Sequence, residues 1–376
     1  MISFNFDFKN SKTELYNNYL SLFPYKDNIS KYHDVLYTLF YYSLFENIKD
    51  KNLDISIFTD SNCISTLLFS EYFKNSNIYT FHNNNDYINY FNIFIWNNDR
   101  IKLSNKKCNL LYDIIINNST KNFEEQIKAI ENTYQNLKQG GLLIIENIFK
   151  EYNEEIYIDR LSFILDKFQK YYFINVNDNK LLILIKNGMP LINKKKMTII
   201  TPSARPFNLL KVKDSINFDY VDEWIIVYDG NKVEENPQLF KNDIFNHKIT
   251  EYIYKNHGCS GNPQRNYALD NIKNNNTFLY FLDDDNKIHE DLYNLLDIIG
   301  ENKLYTFNQK DRINGDCIEI YYIDTAMILI DYNICKNIRW KSDLYNADGH
   351  YIKECYLQNT DKWIYINNTL CTYNIL

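Results

Sequence analysis

The chain of 376 residues contains no CxxC pair, no apolar run near the ~20 residues that cross a bilayer, and no basic run longer than Lys194-Lys195-Lys196. Its seven cysteines (63, 108, 259, 317, 335, 355 and 371) are scattered and odd in number. That argues against a disulfide framework or a cysteine zinc site and fits a reducing, cytoplasmic compartment. The opening MISFNFDFKNSKTELY lacks the basic, apolar, small-residue order of a signal peptide. A net charge of -7 with so little clustered base argues against a nucleic-acid surface, which needs grouped Lys and Arg. The Lys triplet reads as a solvated connector. What is present is ordinary for a globular protein: 45% hydrophobic and 24% charged residues, over a length that holds two domains.

Strands and helices alternate in the first half. A helical region at 31–48 is followed by strands ISIF (55–58), NIYTF (77–81), FNIFIW (91–96), LYDIIIN (111–117) and LLIIEN (142–147). Helices fall at STLLFSEYF and FEEQIKAIENTYQNLK, and Gly140-Gly141 turns the chain into the last of these strands. Such alternation implies a parallel sheet covered on both faces. YYFINV and KLLILI, joined by Asn177-Asp178-Asn179, close the half as an antiparallel hairpin. KNGMPLINKKKM, residues 186–197, has the Gly, Pro and charge chemistry of a linker, set at 189–196, dividing a domain at 1–188 from one at 197–376. The second half begins with MTIITP (197–202) and continues with WIIVYDG (224–230), TFLYFLDDD and a helix at HEDLYNLLDII. Strands at IEIYYID and TAMILID and a final WIYINNTLCTYNI complete it.

The sharpest chemical feature is Asp283-Asp284-Asp285-Asn286, directly after the apolar strand at 277–282. Adjacent carboxylates repel unless a cation neutralises them. Hard oxygen ligands of this kind suit Mn²⁺ or Mg²⁺, and those ions suit a diphosphate. A solvated acidic turn leading into the next helix is the other reading. Arg265 offers a planar cationic fork, either to a diphosphate or to a structural carboxylate partner, and a helix beginning after Gly261 offers free N–H groups. Asp229, ending a strand before Gly230, is a nucleotide acceptor or an ordinary turn residue.

Four segments of residues 197–376 resemble, in order and spacing, the β-1,3-glucuronyltransferases and related GT-A glycosyltransferases. Ile199-Ile200-Thr201-Pro202-Ser203-Ala204-Arg205 is similar to the family's T-P-T-x-A-R nucleotide loop, one residue shorter. WIIVYDG matches its second strand, whose closing Asp holds the uracil, here Asp229. Gly261-Asn262-Pro263-Gln264-Arg265-Asn266 with Ala268-Leu269 resembles G-x-x-Q-R-N-x-A-L, and residues 280–286 resemble Y-F-x-D-D-D-N. The resemblance implies a UDP-sugar donor and a glycan or glycoconjugate acceptor. It also implies nucleotide-sugar contacts from Thr201, Pro202, Ser203, Arg205, Asp229, Gln264, Arg265, Asn266, Asp283 and Asp284. Asp285 would be the main metal ligand with Asp283 beside it, Asp284 would touch the sugar or ribose, and Asp283 would pair with Arg265. Asp324, in YIDTA, is similar to the family's acceptor-contacting V-D-M-A aspartate. Trp340 could stack on an acceptor sugar or belong to the core.

Inversion at the anomeric carbon needs a base for the acceptor hydroxyl. Asp348, just before a helix, is the first candidate, with an N-cap as its alternative role. Aligning Gly349-His350 with the family's G-H-L-E puts Ile352 at the base position, with Glu354 two residues later as the second candidate.

The first half resembles class I S-adenosylmethionine methyltransferases at Tyr112-Asp113-Ile114-Ile115-Ile116 and in residues 137–147, which are similar to the family's L-K-P-G-G-x-x-x-x-E-D turn and fifth strand. The cofactor-loop position, residues 58–65 (FTDSNCIS), has no glycine to let the backbone approach a methionine moiety. His82-Asn83-Asn84-Asn85 stands where an acid should bind the ribose, and Asn117-Asn118-Ser119-Thr120 where sugar methyltransferases carry D-D-G-S-H. S-adenosylmethionine is therefore not expected to bind, and His82 reads as a surface histidine.

The expected architecture is α/β with two Rossmann-like domains: a methyltransferase-like doubly wound sheet without catalytic function, then a GT-A nucleotide-diphospho-sugar transferase fold. The expected activity is metal-dependent glycosyl transfer. A bifunctional glycosyltransferase and glycan O-methyltransferase is one competitor. A non-enzymatic carbohydrate-binding or assembly protein is another, and the oligomeric state is left open.

Overall fold

In a computed structural model of the protein, the described residues are 2–7, 35–59, 64–82, 88, 98–105, 110–118, 122–148, 153–176, 179–192, 194–373 and 376. The chain forms two compact units, Met1–Asn5 with Leu20–Asn193, and Phe6–Tyr19 with Lys194–Leu376. No helix among the described residues is long and apolar enough to cross a membrane.

The first unit contains helices α1 (Val35–Phe45), α2 (Ile64–Tyr72), α3 (Phe123–Thr133) and α4 (Glu154–Leu165). After β1 (Ser3–Asp7), its strands are β2 (Asp54–Thr59), β3 (Asn77–Phe81), β4 (Ile101–Ser104), β5 (Tyr112–Asn118), β6 (Leu137–Ile145), β7 (Phe168–Val176) and β8 (Asn179–Lys186). They lie in the order β7-β8-β6-β5-β2-β3-β4, parallel from β6 to β4 and antiparallel at β8 and β7. This is a methyltransferase-like doubly wound sheet with the hairpin inserted at its edge. Ile114, Ile115, Leu142, Leu143 and Ile144 are fully buried, as apolar strands covered on both faces must be. Gly140 turns the chain at φ +72°, where a Cβ would collide with the Met189 carbonyl oxygen at 1.7 Å. A strand forms at Ile101–Ser104, which the sequence pattern did not announce; FNIFIW lies outside the described residues.

The second unit is built on β9 (Met197–Ser203), β10 (Val221–Asp229), β11 (Ile249–Tyr254), β12 (Phe278–Phe281), β13 (Leu304–Gln309), β14 (Ile328–Asp331) and β15 (Trp363–Cys371). Its helices are α5 (Asn208–Lys213), α6 (Asn262–Asp270), α7 (Glu290–Leu295) and α8 (Ala347–Leu357). Strand order is β11-β10-β9-β12-β14-β13-β15, with the first four parallel. Phe6 and Asp7 pair antiparallel with Ile366 and Tyr365, an addition from the start of the chain that the expected division at residues 189–196 does not contain. The chain runs outward from β9 to β11 and then returns to the other side of β9 at β12. The sheet's direction of growth therefore reverses between β9 and β12, and open α/β sheets bind ligands beyond the carboxyl ends of strands at such a point.

One expected strand is absent. IEIYYID forms turns leading to a 3₁₀ turn at Thr325–Met327. Tyr321 has φ +74°, which breaks an extended run, and the exposed side chains of Tyr321 and Tyr322 have no sheet to pack on.

Glu146, at the end of β6, is 5% exposed and accepts a hydrogen bond from the Tyr41 hydroxyl at 2.5 Å. Burial pushes its carboxyl up to about 7, against the opposing pull of that bond. A folded value above the unfolded one gives a contribution that is fully present below the unfolded value and lost as pH rises through about 7. Glu146→Gln, which stays neutral, should therefore stabilise the first unit at pH 8 by an amount on the order of 3 kcal/mol. Urea unfolding should show that advantage shrinking to nothing near pH 4.

Candidate active site

The loop after β9 and the loop after β12 meet at the reversal point through one carboxylate. Oδ2 of Asp284 accepts from Ser203 Oγ (3.0 Å), Ala204 N (2.9 Å) and Arg205 N (2.8 Å). Oδ1 accepts from Arg205 Nε (2.9 Å) and Nη2 (2.5 Å). The Asp284 side chain is 5% exposed while Arg205 keeps 53% exposure, so the carboxylate is withdrawn from water and its charge is met by these five donors. The same Arg205 Nη2 reaches Asp285 Oδ2 at 2.7 Å. Asp284 is thus consumed in fixing the loop; the role of touching a sugar or ribose does not fit a carboxylate whose two oxygens are already filled by protein donors.

Helix α6 brings up the third wall. Gly261 caps it at φ +75°, and a Cβ there would lie 2.6 Å from Pro202 Cβ, so only glycine lets the helix start against the β9 loop. Pro263 in the first turn is pre-set for a helix start. Gln264 and Arg265 thereby face the cleft. Arg265 Nη1 donates to Ser260 O (2.6 Å) and Asn262 Oδ1 (3.1 Å), Nη2 pairs with Asp283 Oδ1, and the guanidinium lies 4.6 Å over the Trp340 ring.

These walls enclose a cleft of about 840 Å³ lined by Pro202, Ser203, Ala204 and Arg205, by Asp229, by Gln264 and Arg265, and by all three aspartates of the acidic loop. A second cleft of about 230 Å³ is lined by Asp324, Arg312, Trp340, Tyr345 and Asp348. Ser260, Arg265, Asp283 and Tyr373 line both clefts. Asp348 and Asp285 accordingly lie in adjoining clefts rather than a common one.

The acidic groups sense one another. Burial pushes the Asp283 carboxyl above the usual carboxylate range; Arg265 opposes this, and Asp324 and Asp285 add to it. Its side chain keeps 31% exposure toward the clefts, but the protein around it sets the balance. Burial also raises Asp348, opposed by the Gly349 N–H and assisted by Asp324. Asp324 is anchored by Arg312 Nη1 (2.5 Å), Gln309 Nε2 (3.3 Å) and Thr325 N (2.6 Å).

A divalent cation fits the donor chemistry at the acidic loop. Arg205 occupies Oδ2 of Asp285, whereas Oδ1 has no hydrogen-bond partner among the described residues and the side chain lines the larger cleft. The described residues hold no group of three or more His, Cys, Asp or Glu side chains arranged around a cation. Asp285 and Asp283 would therefore supply part of an oxygen shell completed by diphosphate and water, the usual division for Mg²⁺.

Four further expectations for the second unit's site are corrected. The Thr201 hydroxyl is fully buried and accepts from Trp224 Nε1 at 2.9 Å, inside the sheet. Asn266 bonds both the backbone N and O of Trp340 (2.8 Å each) and lines neither cleft. Trp340 is 3% exposed, stacked on Tyr351 at 4.7 Å and covered by the Arg265 guanidinium, so its faces have no room for a sugar. Glu354 is exposed on α8, accepts from Gln358 Nε2 at 3.4 Å, and lines neither cleft. Of the two base candidates only Asp348 faces a cleft. Sequence reasoning missed Arg312, Tyr321, Tyr345 and Tyr373, which belong to no motif and are gathered only by the fold. Asn231 and Lys232 directly follow the Asp229 turn and were within reach of motif reading.

In the first unit the corresponding reversal lies between β2 and β5. Residues 60–63 and 83–85 fall outside the described residues. His82 is 5% exposed, and so is not the surface histidine its sequence context implied.

Removing the Asp284 carboxylate leaves the donors of Ser203, Ala204 and Arg205 without their acceptor, while the half-exposed Arg205 keeps Asp285. Asp284→Ala should therefore destabilise the second unit by about 1–3 kcal/mol. Asp284→Asn should fall between it and wild type, because an amide keeps one acceptor. Thermal unfolding of the three proteins checks the order.

No family model and no curated protein matches the sequence. Parts of the structure are similar to solved ones. S. aureus TarS 1–349 shares 14% identity over 48% of this chain and 60% of that one, with a TM-score of 0.37. A methyltransferase from Pyrococcus furiosus shares 17% over 46% of this chain and 96% of that one, TM-score 0.34. Human methyltransferase-like protein 13, solved in complex with SAH, shares 13% over 40% and 78%, TM-score 0.32. At these scores the likenesses carry no argument about chemistry. The strand orders themselves give the fold: two Rossmann-like α/β units, the first methyltransferase-like and the second of GT-A type.

Proposed function

We propose that the second unit is a metal-dependent glycosyltransferase of the GT-A type. It moves a sugar from a UDP-sugar to a hydroxyl of a glycan acceptor with inversion, and the first unit has no catalytic role. The observation that carries this reading is the pair of clefts meeting at Asp283 and Arg265, beyond the carboxyl ends of β9 and β12. The larger cleft takes the donor: Asp229 accepts from the base, Gln264 and Arg265 face the diphosphate, and Asp285 with Asp283 holds Mn²⁺ or Mg²⁺. The bound cation would neutralise diphosphate charge. The four motifs shared with β-1,3-glucuronyltransferases favour uridine in the donor. For the first unit, the glycine-free segment at 58–65 and the missing ribose acid support a fold kept without its cofactor.

In the reaction, Asp348 accepts the proton of the acceptor hydroxyl as its oxygen bonds to the anomeric carbon from the smaller cleft. The anomeric carbon–phosphate oxygen bond breaks, and its electron pair leaves with the UDP. Arg265 is held by Asp283, Ser260, Asn262 and the Trp340 ring, so this cation is in place before charge develops on the departing phosphate. Electrostatic stabilisation is strongest from groups that need not reorganise. Arg312, held by Asp324 in the lining of the smaller cleft, would donate its remaining N–H groups to the acceptor's hydroxyls.

Asp285→Ala should abolish sugar transfer and Mn²⁺-dependent UDP binding by calorimetry while the far-UV spectrum stays unchanged. Full UDP affinity in this variant, or full activity in a chelator, contradicts the metal assignment. Asp348→Asn should lower kcat by about 10²–10⁴-fold with donor affinity nearly unchanged. Because burial raises the Asp348 carboxyl, it stays protonated to a higher pH than an ordinary carboxylate. The wild-type acid limb of kcat/KM should lie correspondingly high and vanish in Asp348→Asn. Glu354→Gln should be mild.

A further inference from the structure

We propose that Tyr321 and Tyr345 form an aromatic subsite for a second sugar ring, so that the acceptor is an oligosaccharide rather than a single sugar. The inference rests on the smaller cleft being the acceptor side. That cleft measures about 230 Å³, below the ~300–1,000 Å³ of pockets that enclose a drug-sized ligand, so a chain of sugars would extend past it. Two tyrosines that line this cleft stand in water, Tyr321 at 77% and Tyr345 at 85% exposure. Neither contributes to the core, yet the backbone beneath each is tied down.

Tyr321 has φ +74°, a conformation unfavourable for a non-glycine residue that persists only where its surroundings impose it. Here they do. Tyr322 N donates to Glu319 O at 2.9 Å, and Glu319 pairs with Lys353 of α8 at 2.5 Å. Gly349 packs so closely on this turn that a Cβ would lie 2.9 Å from Ile320 Cα. The ties all lead to α8, the helix that carries Asp348. Tyr345 precedes the same helix, and Asn262 Nδ2 holds the neighbouring Leu344 carbonyl at 2.8 Å. Exposed rings on an ordered backbone, in the same cleft lining as Asp324, Asn346 and Asp348, match what a sugar presents: an apolar ring face with a polar rim.

The test measures binding directly. Saturation-transfer NMR would use cellobiose, maltose, lactose and N,N′-diacetylchitobiose, each beside the methyl glycoside of its single sugar, with UDP and Mg²⁺ present. Expected is transfer to both rings of at least one disaccharide, which binds more tightly than its methyl glycoside. Tyr321→Ala and Tyr345→Ala should each weaken that disaccharide by about tenfold, or ~1.4 kcal/mol, and lose transfer to the outer ring. Tyr321→Phe, which keeps the ring, should stay within about twofold. The proposal is overturned if no disaccharide receives saturation, if a disaccharide binds no better than its methyl glycoside, or if both alanine variants bind as wild type does. UDP-sugar hydrolysis on the same samples separates the two readings. Hydrolysis without disaccharide binding removes the subsite alone. Tyr321-dependent binding with no hydrolysed or transferred donor supports the subsite and removes the transferase.

Discussion

The buried carboxylate of Asp284 is the constraint on which the second unit's site depends. Strand β9 delivers Pro202 to Arg205 and strand β12 delivers the acidic loop, but adjacent strand ends do not by themselves fix two loops. Five donors from Ser203, Ala204 and Arg205 converge on the two Asp284 oxygens and leave the loops no independent freedom. Arg205 then extends the tie to Asp285, which sets the direction in which the remaining Asp285 oxygen can act. The three successive aspartates thus divide the work. Asp283 orients Arg265, Asp284 closes the loop, and Asp285 faces the cleft.

A second set of contacts does for Arg265 what Asp284 does for the loop. The Trp340 ring lies under the guanidinium, Tyr351 stacks on Trp340 at an interplanar angle of 10°, and Phe281 meets both rings edge-on. Asn266, one residue after Arg265, fixes the Trp340 backbone from α6. The aromatic residues near the site are therefore of two kinds. Those under Arg265 are buried and structural, and those at the mouth of the smaller cleft are exposed.

Much of this was legible because it is local. The apolar run at 277–282 followed by Asp283-Asp284-Asp285 announces a strand end, and Gly261 before Pro263 announces a helix start. The hairpin closing the first half likewise follows from turn chemistry and alternation, whereas Gly140 and Gly141, which read as a turn into a strand, lie within β6 at an irregularity of its pairing with β5. What sequence could not show is what a side chain faces once the fold is made. Thr201 and Asn266 sit inside motifs beside cleft residues, yet strand alternation turns Thr201 inward and helix periodicity turns Asn266 toward Trp340. The segment at 318–324 has strand-like composition, but packing against Gly349 and the pair of Glu319 with Lys353 hold it as a turn. Arg312 and Tyr373 stack at 3.9 Å although sixty residues separate them, a contact no local pattern encodes.

The two units also differ electrostatically at their carboxyl edges. Around the junction of the two clefts stand Asp283, Asp285, Asp324 and Asp348, against Arg205, Arg265 and Arg312. Each arginine already has an aspartate: Arg205 holds Asp284 and Asp285, Arg265 holds Asp283, and Arg312 holds Asp324. Asp348 alone has no cationic partner of its own, and burial with neighbouring negative charge raises it. A half-buried carboxylate beside other carboxylates gains proton affinity, and the Gly349 N–H and the charge of Arg265 only partly offset this at Asp348. In the first unit, the burial of Glu146 at the end of β6 is met locally, through the Tyr41 hydroxyl and a carboxyl shifted to about 7. Three aspartate-paired arginines beside one carboxylate raised by burial therefore set the second unit's cleft apart from the Glu146 site of the first, where a single hydroxyl meets a single carboxylate.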